Sequence, residues 1–303
     1  MVINVQRLND SPFVIKLIST LGRLLPLKLG HSLADYVAGR LAERKDSPMI
    51  RAIRANQWVA RGETLDKEAL DRAVHETLRN SARSIFDLYH YILNPRSAGR
   101  LIVLDPATQQ LVRRPEFERR GLVVVGIHLS NSDLALQWLC SQGFRILVLT
   151  IPDPQGGRRT EYERRIKSGI NIVPASVGAL WQSLRHLQQG GVVLTGIDRP
   201  ITSPGAWPRF FGRPAALPTH HIFLATKARV PVMLMVTNLQ ADGKYHILTS
   251  DPIEMDPDPD REKGTIRNAE KVLNIAENFI RQVPQQWSIS LPVWPETLDL
   301  APE

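Results

Sequence analysis

A histidine and an aspartate five residues apart, His128 and Asp133, are the residues of this chain best suited to catalysis. A carboxylate that accepts a hydrogen bond from one imidazole nitrogen fixes the tautomer, and the other nitrogen can then take a proton from an attacking hydroxyl. The spacing therefore predicts a general base. The alternative is a histidine bonded to a loop carbonyl beside an ordinary acid in a first helical turn, because such short motifs often occur by chance.

The elements around this pair are predicted to hold it at the edge of a sheet. Five of the seven residues from Gly121 to Ile127 are branched aliphatics, which is typical of a strand buried on both faces. Residues 134–139 have helical spacing. Three residues of types that cap helices precede them: Ser130, Asn131 and Ser132. His128 thus leaves the carboxyl end of a strand, where open α/β sheets bind ligands.

Two later segments complete a pattern. Gly190 to Arg199 predicts a second buried strand that ends in Asp198-Arg199, and Arg209 to Ala215 contains Phe-Phe-Gly-Arg. Together with His128-x-Ser-Asn-x-Asp133, and in this order, they resemble the glycerolipid and lysophospholipid acyltransferase superfamily. The chain is most similar to the branch of the lipid A late (lauroyl/myristoyl) acyltransferases and the phosphatidylinositol mannoside acyltransferases, and the resemblance covers most of its length.

The resemblance implies transfer of a fatty acyl group from an acyl thioester, acyl-CoA or acyl-ACP, to a hydroxyl of a glycolipid or lysophospholipid. His128 would be the base and Asp133 its partner. The mechanism requires no covalent acyl-enzyme, no metal and no cofactor beyond the thioester co-substrate. Its tetrahedral oxyanion needs donors, for which we predict backbone amides at the start of the following helix, or Ser130 and Asn131.

Three charged residues are predicted to bind substrate. Arg165 lies on a basic helix near 159–168 whose guanidinium groups can hold phosphates, although a solvated helix paired with its own glutamates is an open alternative. Asp198 ends its strand as His128 does, so its carboxylate could orient His128 or the acceptor. Arg199 could neutralise a phosphate, or form a surface salt bridge.

The Phe-Phe-Gly-Arg segment resembles the acceptor-side loop of the family. Phe211 could wall an apolar chain, Gly212 would let the backbone approach closely, and Arg213 offers charge. Packing of the phenylalanines in the core is the alternative.

Composition limits the partners. The 303 residues carry a net charge of +8, which calls for an anionic membrane, a phosphorylated substrate or nucleic acid. Aromatic residues are only 6% and many lie in apolar runs, so nucleic acid is not expected. The single cysteine, Cys140, excludes an internal disulfide and a cysteine-rich zinc site. The adjacent histidines His220 and His221 point to different helix faces and are not predicted to bind a metal.

The chain is predicted to be an α/β protein with a mainly parallel central sheet flanked by helices, behind an all-helical N-terminal region. We predict a membrane-facing cap over residues 1–100 and the acyltransferase domain over 101–303. Six strands and five helices alternate after residue 120, and the last two strands are predicted to be antiparallel.

The first residues predict a short amphipathic helix, near 13–25, whose cations could meet anionic head groups; a helix packed on the domain is the alternative. No secretion signal or apolar run long enough to span a bilayer is found, unlike in the lipid A enzymes. We therefore expect a peripheral enzyme on the cytoplasmic face of the cell membrane.

The C-terminal segment departs from the family pattern. It lacks the histidine or arginine cluster that often follows Trp287 in the family, so no role is carried over for that tail. Two other classes of function remain as alternatives: a non-catalytic lipid- or nucleic-acid-binding protein using the basic face, and a lipid hydrolase using the same histidine and aspartate on water.

Overall fold

The computed structural model describes residues 12–91, 95–112, 120–152, 156–202 and 204–302. The pair Ser11-Pro12 predicts a helix cap and the pair Asn94-Pro95 predicts a break between elements. Ser11 and Asn94 lie outside the described residues. The α-helices of the described residues are α1 (Pro12–Leu24), α2 (Leu27–Ala42), α3 (Pro48–Ala60), α4 (Lys67–Tyr91), α5 (Pro95–Ala98), α6 (Pro106–Val112), α7 (Ser132–Ser141), α8 (Gly156–Lys167), α9 (Val177–Gln188), α10 (His220–Ala228) and α11 (Arg261–Gln282).

The strands alternate with the later helices. They are β1 (Ile102–Leu104), β2 (Leu122–Gly126), β3 (Ile146–Thr150), β4 (Asn171–Pro174), β5 (Val192–Gly196), β6 (Arg209–Phe210), β7 (Arg213–Pro214), β8 (Val232–Leu239) and β9 (Tyr245–Thr249). Seven of them form one sheet in the order β1-β9-β8-β2-β5-β3-β4. The strands from β8 to β4 are parallel, whereas β9 runs antiparallel to β8.

The predicted α/β class is confirmed, and so is the antiparallel final pair. The sequence did not predict β1 or the hairpin β6–β7. Both are very short: β1 has three residues and each hairpin strand has two. A period-two pattern needs several residues to be recognised, and these strands are too short to show one.

The N-terminal helices are tied to the rest of the chain through α3 and the C-terminal segment. Ser47 caps α3 and Pro48 opens it. Val59 and Ala60 at its end belong to the main hydrophobic core with strand residues of the sheet. The buried side chain of Asn56 donates to the carbonyls of Ile289 and Leu291 (3.0 and 2.8 Å). The proposed division near residue 100 stays a prediction.

Within the described ranges, none of the helices combines the length and the apolar character that crossing a bilayer requires.

Replacement of Asn56 by alanine should destabilise the fold by about 2–4 kcal/mol. The Asn56 side chain also accepts from the backbone of Val293 (3.0 Å), so the variant leaves three buried backbone groups without a partner. Urea unfolding measures the change. Asn278→Ala, on an exposed position of α11, is the matched control and should change stability by less than about 0.5 kcal/mol. Equal effects of the two substitutions would contradict this assignment.

Candidate active site

The site is built by the register of two neighbouring strands. β2 and β5 are parallel, and Gly126 pairs with Gly196 at their carboxyl ends. His128 and Asp198 each follow two residues later, so the chain delivers them to equivalent places at one edge of the sheet. From there the chain runs from β2 to β3, which lies beyond β5, and from β5 to β8, which lies beyond β2. Ligands of open α/β sheets bind at this carboxyl edge.

His128 and Asp198 are bonded twice. The ring Nδ1 lies 2.7 Å from Asp198 Oδ1, and the backbone amide of His128 donates to Oδ2 at 2.7 Å. The carboxylate is fully buried, while 43% of the imidazole side chain is exposed. An ionised carboxylate can only accept, so Nδ1 carries the hydrogen and Nε2 presents its lone pair. The ring is therefore fixed in the tautomer that a general base needs.

The charges of this pair support each other. Removal from water lowers the pKa of His128, but the adjacent Asp198 carboxylate outweighs this and raises the pKa above its ordinary value. Burial raises the pKa of Asp198, and the charge and hydrogen bonds of His128 more than offset it, so that the pKa of Asp198 is lowered. Arg199 lies near enough for its charge to oppose protonation of His128. Asp198 is ionised and the ring is more basic than a free histidine.

Asp133 was predicted to accept the hydrogen bond of the His128 ring. This prediction was wrong, because the ring is bonded to Asp198. Asp133 lies in the first turn of α7 and is bonded to Arg165 of α8. Burial raises the pKa of Asp133, but the charge of Arg165 outweighs burial and lowers it. The charge of Asp133 still favours protonation of His128, although as a weaker influence than Asp198. Arg165, predicted to hold phosphate, is thus the ion-pair partner of the motif aspartate.

Ser130 and Asn131, two of the four residues between His128 and Asp133, have different roles. Asn131 caps α7: its side chain accepts from the amide of Leu134 (3.3 Å) and donates to the carbonyl of Ser84 (2.8 Å). Both ends of the buried amide have a structural partner, and contact of Asn131 with substrate stays a prediction. Ser130 has a left-handed backbone (φ 52°), and its amide donates to the carbonyl of Gln286 (2.9 Å). A non-glycine residue in this region stores strain that its surroundings must hold, a frequent feature of functional turns.

Sequence reasoning missed Trp287. Its indole Nε1 donates to Asp198 Oδ2 (2.8 Å), and the next residue, Ser288, donates its amide to the carbonyl of His128 (3.0 Å). The C-terminal segment thereby fixes the carboxylate and the turn together. The family resemblance extends as far as the sequence Pro-Gln-Gln-Trp that ends at Trp287. Nothing in that sequence signalled the contact with Asp198, since a tryptophan in a folded protein usually packs in the core.

The Phe-Phe-Gly-Arg segment forms a hairpin beside Trp287. Phe211 and Gly212 occupy the two-residue turn between β6 and β7, and both have positive φ (50° and 77°), as a type I′ turn requires. The ring of Phe211 lies 6.2 Å from that of Trp287. Arg213 is held by a bidentate bond to Glu63 (2.6 and 2.9 Å). The turn therefore presents an aromatic side chain beside Trp287. The charge of Arg213 is paired with Glu63, which follows α3 of the N-terminal region.

His220 and His221, at the start of α10, have different surroundings. His220 Nε2 bonds to the hydroxyl of Thr195 (2.7 Å), whereas both ring nitrogens of the fully buried His221 lack a hydrogen bond among the described residues. No cluster of three metal-binding side chains is found in the described part of the chain. Burial lowers the pKa of His220 to about 4 and that of His221 to about 3.

The fold and the site define an α/β protein in which a buried carboxylate holds a histidine at the carboxyl edge of a mostly parallel sheet. The family model described as bacterial lipid A biosynthesis acyltransferase matches residues 13–295, and the chain belongs to this family. It is an enzyme of lipid biosynthesis that transfers acyl groups. A search of curated proteins gave no match.

His221 makes the fold sensitive to acid. The unfolded chain takes up a proton near pH 6.5, but the folded chain does not until about pH 3, so stability falls as pH drops between these values. The His221→Leu variant should lose less stability than the wild type on going from pH 7 to pH 5, by on the order of 2 kcal/mol. Urea unfolding at both pH values measures the difference. Parallel losses in the two proteins would contradict the burial of a neutral ring.

Proposed function

We propose that this enzyme moves a fatty acyl group from an acyl thioester, acyl-CoA or acyl-ACP, to a hydroxyl of a glycolipid or lysophospholipid. His128 is the general base, and Asp198 is the carboxylate that orients it. The main support is the 2.7 Å bond between His128 Nδ1 and the buried Asp198, combined with the exposure of the ring. That arrangement leaves Nε2 basic and open to a substrate, as proton abstraction from a hydroxyl requires.

The reaction balances without a cofactor. Nε2 of His128 takes the proton of the acceptor hydroxyl, whose oxygen attacks the thioester carbonyl carbon. The tetrahedral intermediate collapses with cleavage of the carbon–sulfur bond. The thiolate leaves with the proton that His128 returns, so the products are the ester and a free thiol. Asp198 stabilises the imidazolium between the two proton transfers.

The oxyanion is assigned to the start of α7. The backbone amides of Ser132 and Asp133 make no hydrogen bond within the described residues, since the cap side chain of Asn131 serves Leu134. Free amides at the beginning of a helix point out of its N-terminus, where the helix dipole favours negative charge. Such preorganised donors are the usual means of stabilising acyl-transfer intermediates. The ion pair of Asp133 and Arg165 holds this helix start in place.

The aromatic turn and the neighbouring cation are assigned to the substrates. Phe211 with Gly212 is proposed to wall an apolar chain, because the ring packs against Trp287, which in turn holds Asp198. Arg199, close to His128, is proposed to face a phosphate of the donor or acceptor.

The N-terminal helices are proposed to dock on the cytoplasmic face of the cell membrane as a peripheral contact. Large apolar side chains are exposed along α1 and α2, in several cases one helical turn apart: Leu17, Leu24, Leu29, Leu33, Tyr36 and Val37. Leu24 is 75% exposed and stands beside the exposed Arg23. Apolar residues flanked by cations suit an anionic bilayer surface. The sequence pointed to α1 alone, and α2 adds the longer part of this face.

Substitution of His128 by alanine should lower acyl transfer by at least about 10²–10⁴-fold while lipid binding is retained, because only the proton transfer is removed. The measurement is mass spectrometry of lipids after incubation with mixed acyl-CoA and acyl-ACP donors and membrane extract. His75→Ala, at an exposed histidine of α4, is the matched control and should keep full activity.

The same assay distinguishes acyl transfer from the other candidate functions. Release of free fatty acid without any acceptor would identify a hydrolase. An unchanged lipid profile with both wild type and His128→Ala would identify a protein that binds lipids without acting on them. Either result would overturn the proposed transfer.

The pH dependence of acyl transfer distinguishes the two carboxylates. The base must be neutral, and the raised pKa of His128 should place the acid limb of kcat/KM above the ordinary histidine value of about 6.5. In Asp198→Asn the limb should move to lower pH and the plateau should fall, since the charge and the tautomer control are lost. In Asp133→Asn the limb should stay close to its wild-type position. The reverse order of the two shifts would restore Asp133 as the partner.

A further inference from the structure

A cavity of about 360 Å³ lies where α1, α7 and α8 meet. Its volume is within the range of small-molecule sites. We call it the α7–α8 pocket. The residues that matter for its chemistry come from all three helices: Arg23, Leu134, Gln137, Trp138, Arg164 and Lys167.

The charged residues that line this pocket are all cations. Arg23 comes from α1, and Arg164 and Lys167 come from the end of α8; no carboxylate lines it in the described part of the chain. The guanidinium of Arg164 lies over the ring of Tyr89, 5.1 Å from its centroid, which holds it in place. Asp133 feels the charge of Arg164 but is already neutralised by Arg165. Three cations around one cavity create a positive potential that attracts an anion.

Gln137 lines the pocket and carries an unpaired hydrogen-bond donor. The residue is 9% exposed, and its amide Nε2 is buried without a hydrogen bond among the described residues. Buried polar groups in folded proteins are nearly always paired, so this amide calls for a partner. Nε2 is not exposed to the pocket in the observed rotamer; rotation of the Gln137 side chain toward the pocket would bring it to an oxygen of a bound anion.

The remaining wall is apolar. Leu134 and Trp138 of α7 line it, so the pocket combines a cationic side with a surface for a hydrocarbon or sugar face. A single phosphate group is much smaller than this space. The ligand is therefore larger than an inorganic anion.

We infer that the α7–α8 pocket binds the phosphate group of a phosphate ester, with Gln137 donating to a phosphate oxygen and Arg23 and Lys167 supplying charge. The ester is either the head group of an anionic lipid, reached from the α1 face, or a soluble metabolite. The inference does not rest on acyl transfer, because neither His128 nor Asp198 lines the pocket.

Binding of defined probes tests the inference. Glycerol 3-phosphate is titrated calorimetrically at fixed ionic strength. Flotation uses vesicles of phosphatidylcholine alone and of phosphatidylcholine with phosphatidic acid. Gln137→Leu and Lys167→Gln should each weaken binding by roughly tenfold, because each removes one donor to the phosphate. Lys227→Gln makes the same change of net charge on the exposed face of α10 and should bind as the wild type does.

Each outcome of these binding experiments either supports or overturns the inference. Binding of glycerol 3-phosphate with this pattern of variants assigns a soluble ester, and binding of the phosphatidic acid vesicles alone with the same pattern assigns a lipid head group. Wild-type protein that binds none of the probes, or variants that all bind as the wild type does, would overturn the inference. Lys167 is exposed, so Lys167→Gln keeps the test valid if Gln137→Leu fails to fold.

Discussion

The structure of the site depends on a buried negative charge. Asp198 is removed from water, and a carboxylate there is tolerated only if hydrogen bonds and a positive charge replace its hydration. Three donors meet it: the amide and ring of His128, and the indole of Trp287. The donors come from the turn after β2 and from the C-terminal segment, and the carboxylate itself follows β5. One anion thus joins three distant parts of the chain and at the same time orients the ring of His128.

That junction extends to the N-terminal helices. The C-terminal segment that carries Trp287 is held from behind by α3: Gln57 donates to the carbonyls of Pro284 and Trp287, and Asn56 to those of Ile289 and Leu291. The N-terminal helical region therefore supports the candidate active site, in addition to presenting an exposed apolar surface. Different helices of this region have different roles: α1 and α2 carry the exposed apolar face, and α3 supports the segment that holds Asp198.

The acidic residues of the site divide their tasks by their partners. Asp198 faces a titratable histidine, so its charge adjusts the basicity of the ring. Asp133 faces an arginine that stays protonated, so the ion pair between them fixes the start of α7 against α8. The same helix pair then continues into the cationic α7–α8 pocket.

Local pattern in the sequence determined the strand before His128, the helix after it and the position of Asp198 at the end of another strand, because a run of branched aliphatics closed by polar residues is readable within a few residues. The tertiary structure alone decided which carboxylate reaches the ring. The nearest candidate in sequence was Asp133, yet the partner is 70 residues away, because β5 rather than the next strand, β3, lies beside β2. The order of strands in a sheet results from burying all of them together, and the contribution of Trp287 follows from the same packing. No local pattern contains that information.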